Sequence, residues 1–264
     1  MLTVATYNIL HGYHKELILK NIRGLIEKGA DVLCLQETEL NFVNFLDELF
    51  RNPDLNTWKI YYAHTGYGGN LAIAWDTSRL DLNNFESILL PQLPRSVIFQ
   101  RLKGHTKPLQ RSVLVGTFLT AGKVLRISNL QLSWEGGSRF RLGQLAYFLK
   151  KLHQSFAHAD IIAGDFNTWV PSAFRRGQEK KVERLLGKEY INVLPNLRFT
   201  CDTSYVDPQD WWFSLSKILA PIGIKMRTRL DYIFARNLNV ISSKMLDWPG
   251  SDHRPLIGIF DFIF

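Results

Sequence analysis

The chain has 264 residues, 46% of them hydrophobic and 12% aromatic, and its 32 lysines and arginines outnumber 24 aspartates and glutamates for a net charge of +8 and a pI near 9.5. This composition excludes a disordered polypeptide and supplies apolar surface for a sizeable core, so one domain covering residues 1–264 is expected. The positive excess suits an anionic partner, nucleic acid or an anionic lipid surface, although ordinary solubilising charge accounts for it as well.

Residues 2–7 form an apolar, strand-like run that stops at Asn8; residues 15–28 follow with Ile18, Ile22, Leu25 and Ile26 on one helical stripe. A second apolar run, 32–35, ends at Gln36 and Glu37. Residues 41–51 then repeat the helical pattern with Phe42, Leu46, Leu49 and Phe50. From Trp58 to Gln131 the signal changes to short β-rich runs at 60–63, 71–75, 97–102, 113–119 and 124–132, a meander of strands. A helix at 139–156 directs Leu145, Phe148, Leu149 and Leu152 inward, and strand 160–163 leads from it into Gly164-Asp165-Phe166-Asn167. A shorter helix at 179–186 precedes strands at 190–193, 230–235, 240–246 and 256–262, with Ser251-Asp252-His253 just before the last. Strands interspersed with helices predict two packed sheets with helices outside, and no repeat or linker marks a domain boundary.

Cys34 lies inside an apolar strand and Cys201 is far away in sequence, so neither a disulfide framework nor a cysteine-based zinc spacing is visible. A reducing, cytoplasmic setting and a monomeric protein are expected. Residues 1–10 lack the features of a signal peptide, and no run of about 18 apolar residues is present to span a bilayer.

Asn8, Gln36-Glu37, Gly164-Asp165-Phe166-Asn167 and Ser251-Asp252-His253 are four polar words set among apolar runs. A strand that carries apolar side chains to its end and then presents a carboxylate or amide fixes that group in place, and four such endings point to one polar site. Glu37 and Asp252 are hard oxygen donors of the kind Mg2+ or Mn2+ prefers, and Asn8 can orient a ligand beside them. Mg2+ keeps several waters and draws ligands from substrate phosphate, so a two-carboxylate site suits phosphoester chemistry. Either acid taken alone reads as a helix cap or a surface carboxylate.

Gly164 permits a tight turn, and Asp165 and Asn167, two apart, point the same way if the extended geometry persists. Asp165 can then orient or deprotonate a water while Asn167 donates to a non-bridging oxygen as charge builds there, although the same composition also makes an ordinary turn. His253 is the remaining acid–base candidate, and Asp231 can supply the carboxylate that holds its second nitrogen. Asp231 interrupts an apolar strand and is costly there unless paired, with His253 or with Arg227 or Arg229.

In this order the words Thr6-Tyr7-Asn8, Leu35-Gln36-Glu37-Thr38, Gly69-Asn70-Leu71-Ala72-Ile73, Asn129-Leu130-Gln131-Leu132, Gly164-Asp165-Phe166-Asn167, Leu230-Asp231-Tyr232-Ile233 and Ser251-Asp252-His253-Arg254-Pro255 resemble the endonuclease/exonuclease/phosphatase superfamily, which has the deoxyribonuclease I-like fold. The resemblance spans the chain and implies an α/β four-layer sandwich, two mostly antiparallel sheets face to face between helices, with the active site at one end. It implies a metal-dependent phosphoester hydrolase in which Glu37 is the main Mg2+ (or Mn2+) ligand, with Asn8 and Asp252 nearby. Asp165 and Asn167 then position water and phosphate, Asp231 and His253 form an oriented-histidine pair, and Gln131 and Asn70 contact substrate. One departure stands out: many members read Asn-x-His-Leu where this chain has Gln131, and an amide can hydrogen-bond a phosphate oxygen but not transfer a proton.

Nucleic acid is the first substrate class on charge, with a nuclease activity expected. Arg95, Arg101, Arg111, Arg126, Arg139, Arg141, Arg175 and Arg176 are candidates for a phosphate-tracking groove or, equally, ordinary surface and strand-edge arginines. Trp211, Trp212 and Phe213, followed by a basic stretch, suit unpaired bases or an anionic membrane surface, which leaves a sphingomyelin, phospholipid or inositol-phosphate phosphodiesterase or phosphatase as the alternative. Because of Gln131, a phosphate-ligand binding protein without turnover is a further alternative.

Overall fold

The computed structural model describes residues 1–38, 40–63, 70–93, 110–120, 122–168, 175–202 and 227–263. The expected strand at 97–102, Arg95, Arg101 and the Trp211, Trp212, Phe213 triplet lie outside the described residues, as do the side chains of Phe42, Arg175 and Arg176. The first half of the chain contains β1 (Leu2–Asn8), α1 (Lys15–Glu27), β2 (Val32–Gln36), α2 (Leu40–Phe50), β3 (Trp58–Ala63), β4 (Leu71–Asp76), β5 (Asp81–Leu89), β6 (Ser112–Thr120) and β7 (Lys123–Gln131). Then come α3 (Gly137–Leu152), β8 (Ala159–Asp165), α4 (Arg175–Leu186), β9 (Tyr190–Asn192), β10 (Cys201–Asp202), β11 (Arg227–Thr228), β12 (Asp231–Arg236), β13 (Leu238–Met245) and β14 (Leu256–Phe262).

Because successive side chains of a strand point to opposite faces, a strand covered on both sides is apolar throughout, and β1 is buried at all its positions. Leu2 and Val4 enter the core between the two sheets, while Ala5 and Tyr7 enter a second core beneath α1 and α2 with Ile18, Ile22, Leu25, Leu46 and Leu49. A third core lies between the other sheet and α3 and α4, built from Leu145, Phe148, Leu149, Val182 and Leu186. The result is the four-layer α/β sandwich expected.

One sheet has the order β13-β14-β1-β2-β4-β3 and the other β5-β6-β7-β8-β12-β9. Each is built around one parallel pair, β1 with β2 and β7 with β8, flanked by antiparallel strands. A parallel pair needs a crossover, and α1 and α3 supply it on the outer faces. The two halves thus repeat one plan, and the carboxyl ends of both parallel pairs meet at one end of the shared core. β5 carries no apolar alternation in sequence; it is a mostly exposed edge strand whose register slips between Leu82 and Asn84. No described helix is long and apolar enough to cross a membrane.

Candidate active site

The period of two that places Val4, Cys34, Ile127, Ala163 and Ile233 in the core between the sheets also decides where the polar residues point. Asn8 and Gln36 end β1 and β2 on that inward face, Asn129 and Gln131 end β7, Asp165 ends β8, and Asp231 begins β12. Register aligns them in rows: Asn8 pairs with Gln36, and Gln131, Asp165 and Asp231 run across three neighbouring strands. The site is therefore the polar end of the inter-sheet core.

Glu37 turns the chain directly after β2 with φ of +58°, a left-handed conformation that is uncommon outside glycine and concentrates at functional sites. Its Oε1 accepts from Asn8 Nδ2 at 3.1 Å and Gln131 Nε2 at 2.7 Å, and its Oε2 faces His11 Nε2 at 3.1 Å. Asp165 Oδ2 receives the same two amides, at 3.3 Å from Asn8 and 3.5 Å from Gln131, so both carboxylates are held by one pair of donors. The amide orientations follow from neighbours: Leu10 N–H donates to Asn8 Oδ1 at 3.0 Å, and Arg111 Nη1 donates to Gln131 Oε1. Asp165 Oδ1 accepts from Asn167 N–H at 2.8 Å, and Asn167 Nδ2 donates to the Leu132 carbonyl at 2.7 Å. Gly164 makes this turn possible, with φ of +136° and a position where a Cβ would lie 2.0 Å from the Leu130 carbonyl oxygen.

On the strand next to Asp165, Asp231 Oδ2 lies 2.8 Å from His253 Nδ1, which decides between the partners open to Asp231. Arg229 instead reaches Asn192 and the Leu194 carbonyl, and Arg227 pairs with Asp202. Ser251 Oγ donates to the Asn8 carbonyl at 2.8 Å and accepts from His253 N–H at 3.1 Å, linking the Ser251-Asp252-His253 turn to the end of β1. Asn70 is buried beside Glu37: its carbonyl accepts from Thr38 N–H at 3.2 Å, and its Oδ1 has no hydrogen-bond partner among the described residues. All nine candidate residues thus gather at this end of the core.

Burial dominates the electrostatics. It pushes the Asp165 carboxyl up to about 7, aided by the charges of Asp231 and Glu37 and opposed by His253 and the Asn167 N–H. Burial likewise raises Asp252, with Glu37 and Asp231 adding to it against His253. For Glu37 burial also acts upward, but His11, His253, the Asn8 hydrogen bond and Arg111 outweigh it and hold this carboxyl below its usual range. Desolvation opposes charging His253, yet Asp231 first, then Asp252 and Asp165, carry it well above the ordinary imidazole value.

Four carboxylates crowded into a buried pocket repel one another, and a hard divalent cation relieves that repulsion, so the donor set fits one. Glu37 and Asp252 carry the oxygens that would hold it, and Asp165 shares the Asn8 and Gln131 amides with Glu37. Asn8 is placed differently from a direct oxygen ligand: its Oδ1 is taken by Leu10 N–H and its Nδ2 faces the carboxylates.

Sequence periodicity gave no sign of His11, Thr200 or Cys201. His11 sits in a left-handed turn three residues beyond Asn8. Thr200 Oγ1 accepts from Leu230 N–H and Asp231 N–H, and Cys201 forms a backbone bridge with His253. The phosphate-groove reading is corrected in part. Arg126 lies toward the start of β7, away from the site, where it pairs with buried Asp160 at 2.6 Å and donates to carbonyls of Leu152 and Ser155. Arg141 is buried, donates to the Trp134 carbonyl and feels the charge of Asp165, and of the described set Arg111 hydrogen-bonds a site residue, Gln131.

No curated protein matches the chain. Among solved structures, Danio rerio TDP2 complexed with a single-strand DNA product is 19% identical over 98% of both chains, with a TM-score of 0.69. A mannosyl-6-phosphatase of Bacteroides thetaiotaomicron is 18% identical over 99% of this chain and 100% of its own, at 0.70, and a protein of unknown function from Enterococcus faecalis is 20% identical over 99% and 100%, at 0.67. These likenesses support the fold. The family model described as Endonuclease/Exonuclease/phosphatase matches residues 5–253, nearly the whole sequence, and the chain belongs to that family.

Proposed function

We propose that this single-domain protein is a divalent-metal-dependent phosphoesterase that uses water as nucleophile and acts on nucleic acid. The observation that carries the reading is the meeting of Glu37, Asp165 and the Asp231–His253 pair at one end of the inter-sheet core, joined through Asn8 and Gln131. Family membership gives the coarse reaction, phosphoester hydrolysis.

A carboxyl displaced upward to about 7 is matched to general-base work near neutral pH, so Asp165 takes the proton of the attacking water as its oxygen bonds phosphorus and the ester P–O bond breaks, the leaving oxygen taking a proton from solvent. The Asn167 N–H holds Asp165 Oδ1 at 2.8 Å, while Oδ2 has the longer contacts to Asn8 and Gln131, at 3.3 and 3.5 Å, and is the oxygen that takes the proton. His253 is charged at neutral pH because of Asp231, and with Nδ1 held there its Nε2–H donates to the phosphoryl oxygen on which charge develops. Glu37 and Asp252 would hold the divalent cation, which when bound would supply further charge neutralisation to the phosphate. Gln131 positions: its amide fixes Glu37 and Asp165 relative to each other and carries no proton.

The net charge of +8 supports nucleic acid as substrate, as does the DNA product held by the Danio rerio neighbour. The equally similar mannosyl-6-phosphatase favours a second reading, phosphomonoester cleavage. A panel of single- and double-stranded DNA, RNA, sugar and inositol phosphates and sphingomyelin, assayed with Mg2+ or Mn2+, separates them. Metal-dependent release from DNA or RNA that is lost in Asp165→Ala supports the proposal; release confined to small phosphomonoesters replaces its substrate, and no hydrolysis of anything removes it.

A further inference from the structure

We propose that Cys201, Asp252 and His253 form a site for a thiophilic divalent cation, with Zn2+ as the fitting ion, and that its occupancy blocks the hydrolytic centre. The blocking half rests on the function proposed above; the binding half does not. Among the described residues, these three bring a thiol sulfur, a carboxylate oxygen and an imidazole nitrogen within 4.8 Å of one another, all buried. Cys201 Sγ is 3.8 Å from Asp252 Oδ2, and His253 Nε2 is 4.0 Å from Asp252 Oδ1. Ligand atoms on a tetrahedral zinc stand about 3.5 Å apart, given Zn–S near 2.3 Å and Zn–N and Zn–O near 2.1 Å, so small side-chain adjustments close the set.

The frame behind these side chains is rigid. Cys201 and His253 are bridged antiparallel, Asp202 N–H donates to the Asp252 carbonyl and Arg254 N–H to the Thr200 carbonyl, each at 2.7 Å. Histidines that ligate zinc hold their other ring nitrogen against a carboxylate, and His253 Nδ1 already has Asp231 at 2.8 Å, which leaves Nε2 directed to the cation. Three protein ligands leave a fourth position for water. On binding, the thiol and the His253 Nε2–H each pass a proton to buffer as the Zn–S and Zn–N bonds form. Mg2+ does not recruit a thiolate, so Cys201 separates the two cations: the hard ion uses the carboxylates alone, while the soft ion also takes Cys201 and His253. Zn2+ at this site occupies the Nε2 and Asp252 oxygens that hydrolysis needs.

Cd2+ is the optical probe, because a cadmium–thiolate bond absorbs in the ultraviolet. Titration of metal-free protein is expected to give a thiolate charge-transfer band saturating at one Cd2+ per chain, lost in Cys201→Ser and kept in Cys34→Ser, whose thiol sits in the inter-sheet core. Calorimetric Zn2+ affinity should fall at least tenfold in both Cys201→Ser and His253→Ala, with circular dichroism confirming that each variant is folded. A band that survives in folded Cys201→Ser, or no band in wild type, overturns the binding site. In Mg2+-supported hydrolysis, with each protein normalised to its own zinc-free rate, Cys201→Ser should need at least tenfold more Zn2+ for half-inhibition. Equal inhibition of both proteins overturns the blocking role, whereas a normal band in a protein without any hydrolysis leaves the binding site standing and removes the proposed function.

Discussion

Gln36 and Asn129, one from each parallel strand pair, are fully buried and joined across the inter-sheet core, Gln36 Nε2 donating to Asn129 Oδ1 at 2.7 Å. Asn129 Nδ2 in turn donates to the Leu35 and Ala72 carbonyls, each at 2.8 Å, so one amide ties β7 to β2 and β4. The next inward residue of β7 is Gln131 and the residue after Gln36 is Glu37, which makes this tie the register pin between the two walls of the site. Asn129→Leu removes three buried hydrogen bonds at once and is expected to cost about 2–4 kcal/mol. Urea unfolding measures it; a variant as stable as wild type contradicts a cross-sheet pin.

Gln131 and Arg111 act as a unit, because the guanidinium on Oε1 fixes which end of the amide faces the carboxylates. Asp165→Ala is expected to lower kcat by about 10²–10⁴ and Gln131→Ala by less, roughly tenfold, since a proton acceptor is lost in the first and only alignment in the second. Arg111→Met should match Gln131→Ala, and the double variant should be little worse than either alone. Equal losses in Asp165→Ala and Gln131→Ala refute the positioning role, and additive losses in the double variant refute the unit.

The fold was legible where two-sided burial and amphipathic stripes made strands and helices periodic, as in β1, β2, β7, β8, α1 and α3. Most of the site was legible for the same reason. Asn8, Glu37, Gln131, Asp165 and Asp231 break apolar runs, and such a break inside a buried strand requires a partner. β5 was not, because an exposed edge carries no apolar alternation. Nor were His11 and Cys201, which reach the site through a left-handed turn and a two-residue strand, neither with a periodic signal. Which of its two readings Arg126 follows was not legible, because sequence locates a residue on a strand without saying which end of the core it serves; its partner Asp160 lies near the start of β8, while Asp165 ends it.

Gly164 is required for close approach of strands as well as for its turn. An added Cβ would meet the Leu130 carbonyl oxygen, which is backbone and cannot swing aside, at a φ that L residues rarely adopt. Gly164→Ala is expected to destabilise by on the order of 4 kcal/mol or more, among the largest single effects available to this fold. Thermal unfolding with a midpoint unchanged from wild type rules this out.

Asp231 and His253 link stability to pH. The folded-state imidazole titrates well above its ordinary 6.5 because of Asp231, so its contribution is complete below the unfolded value and is lost as pH rises through the folded one. Asp165, raised from 3.8 to about 7, acts in the same sense: its contribution is present below 3.8 and disappears as pH climbs through about 7. Asp231→Asn removes the leading cause of the His253 shift and one cause of the Asp165 shift. The stability gap between wild type and Asp231→Asn should therefore narrow steadily as pH rises, measured by denaturant unfolding of metal-free protein from about pH 6 to 9. The variant should also lose turnover, because an imidazole no longer held charged by Asp231 is a weaker donor to the phosphoryl oxygen. A gap that widens with pH is incompatible with an Asp231-held imidazolium beside a desolvated Asp165.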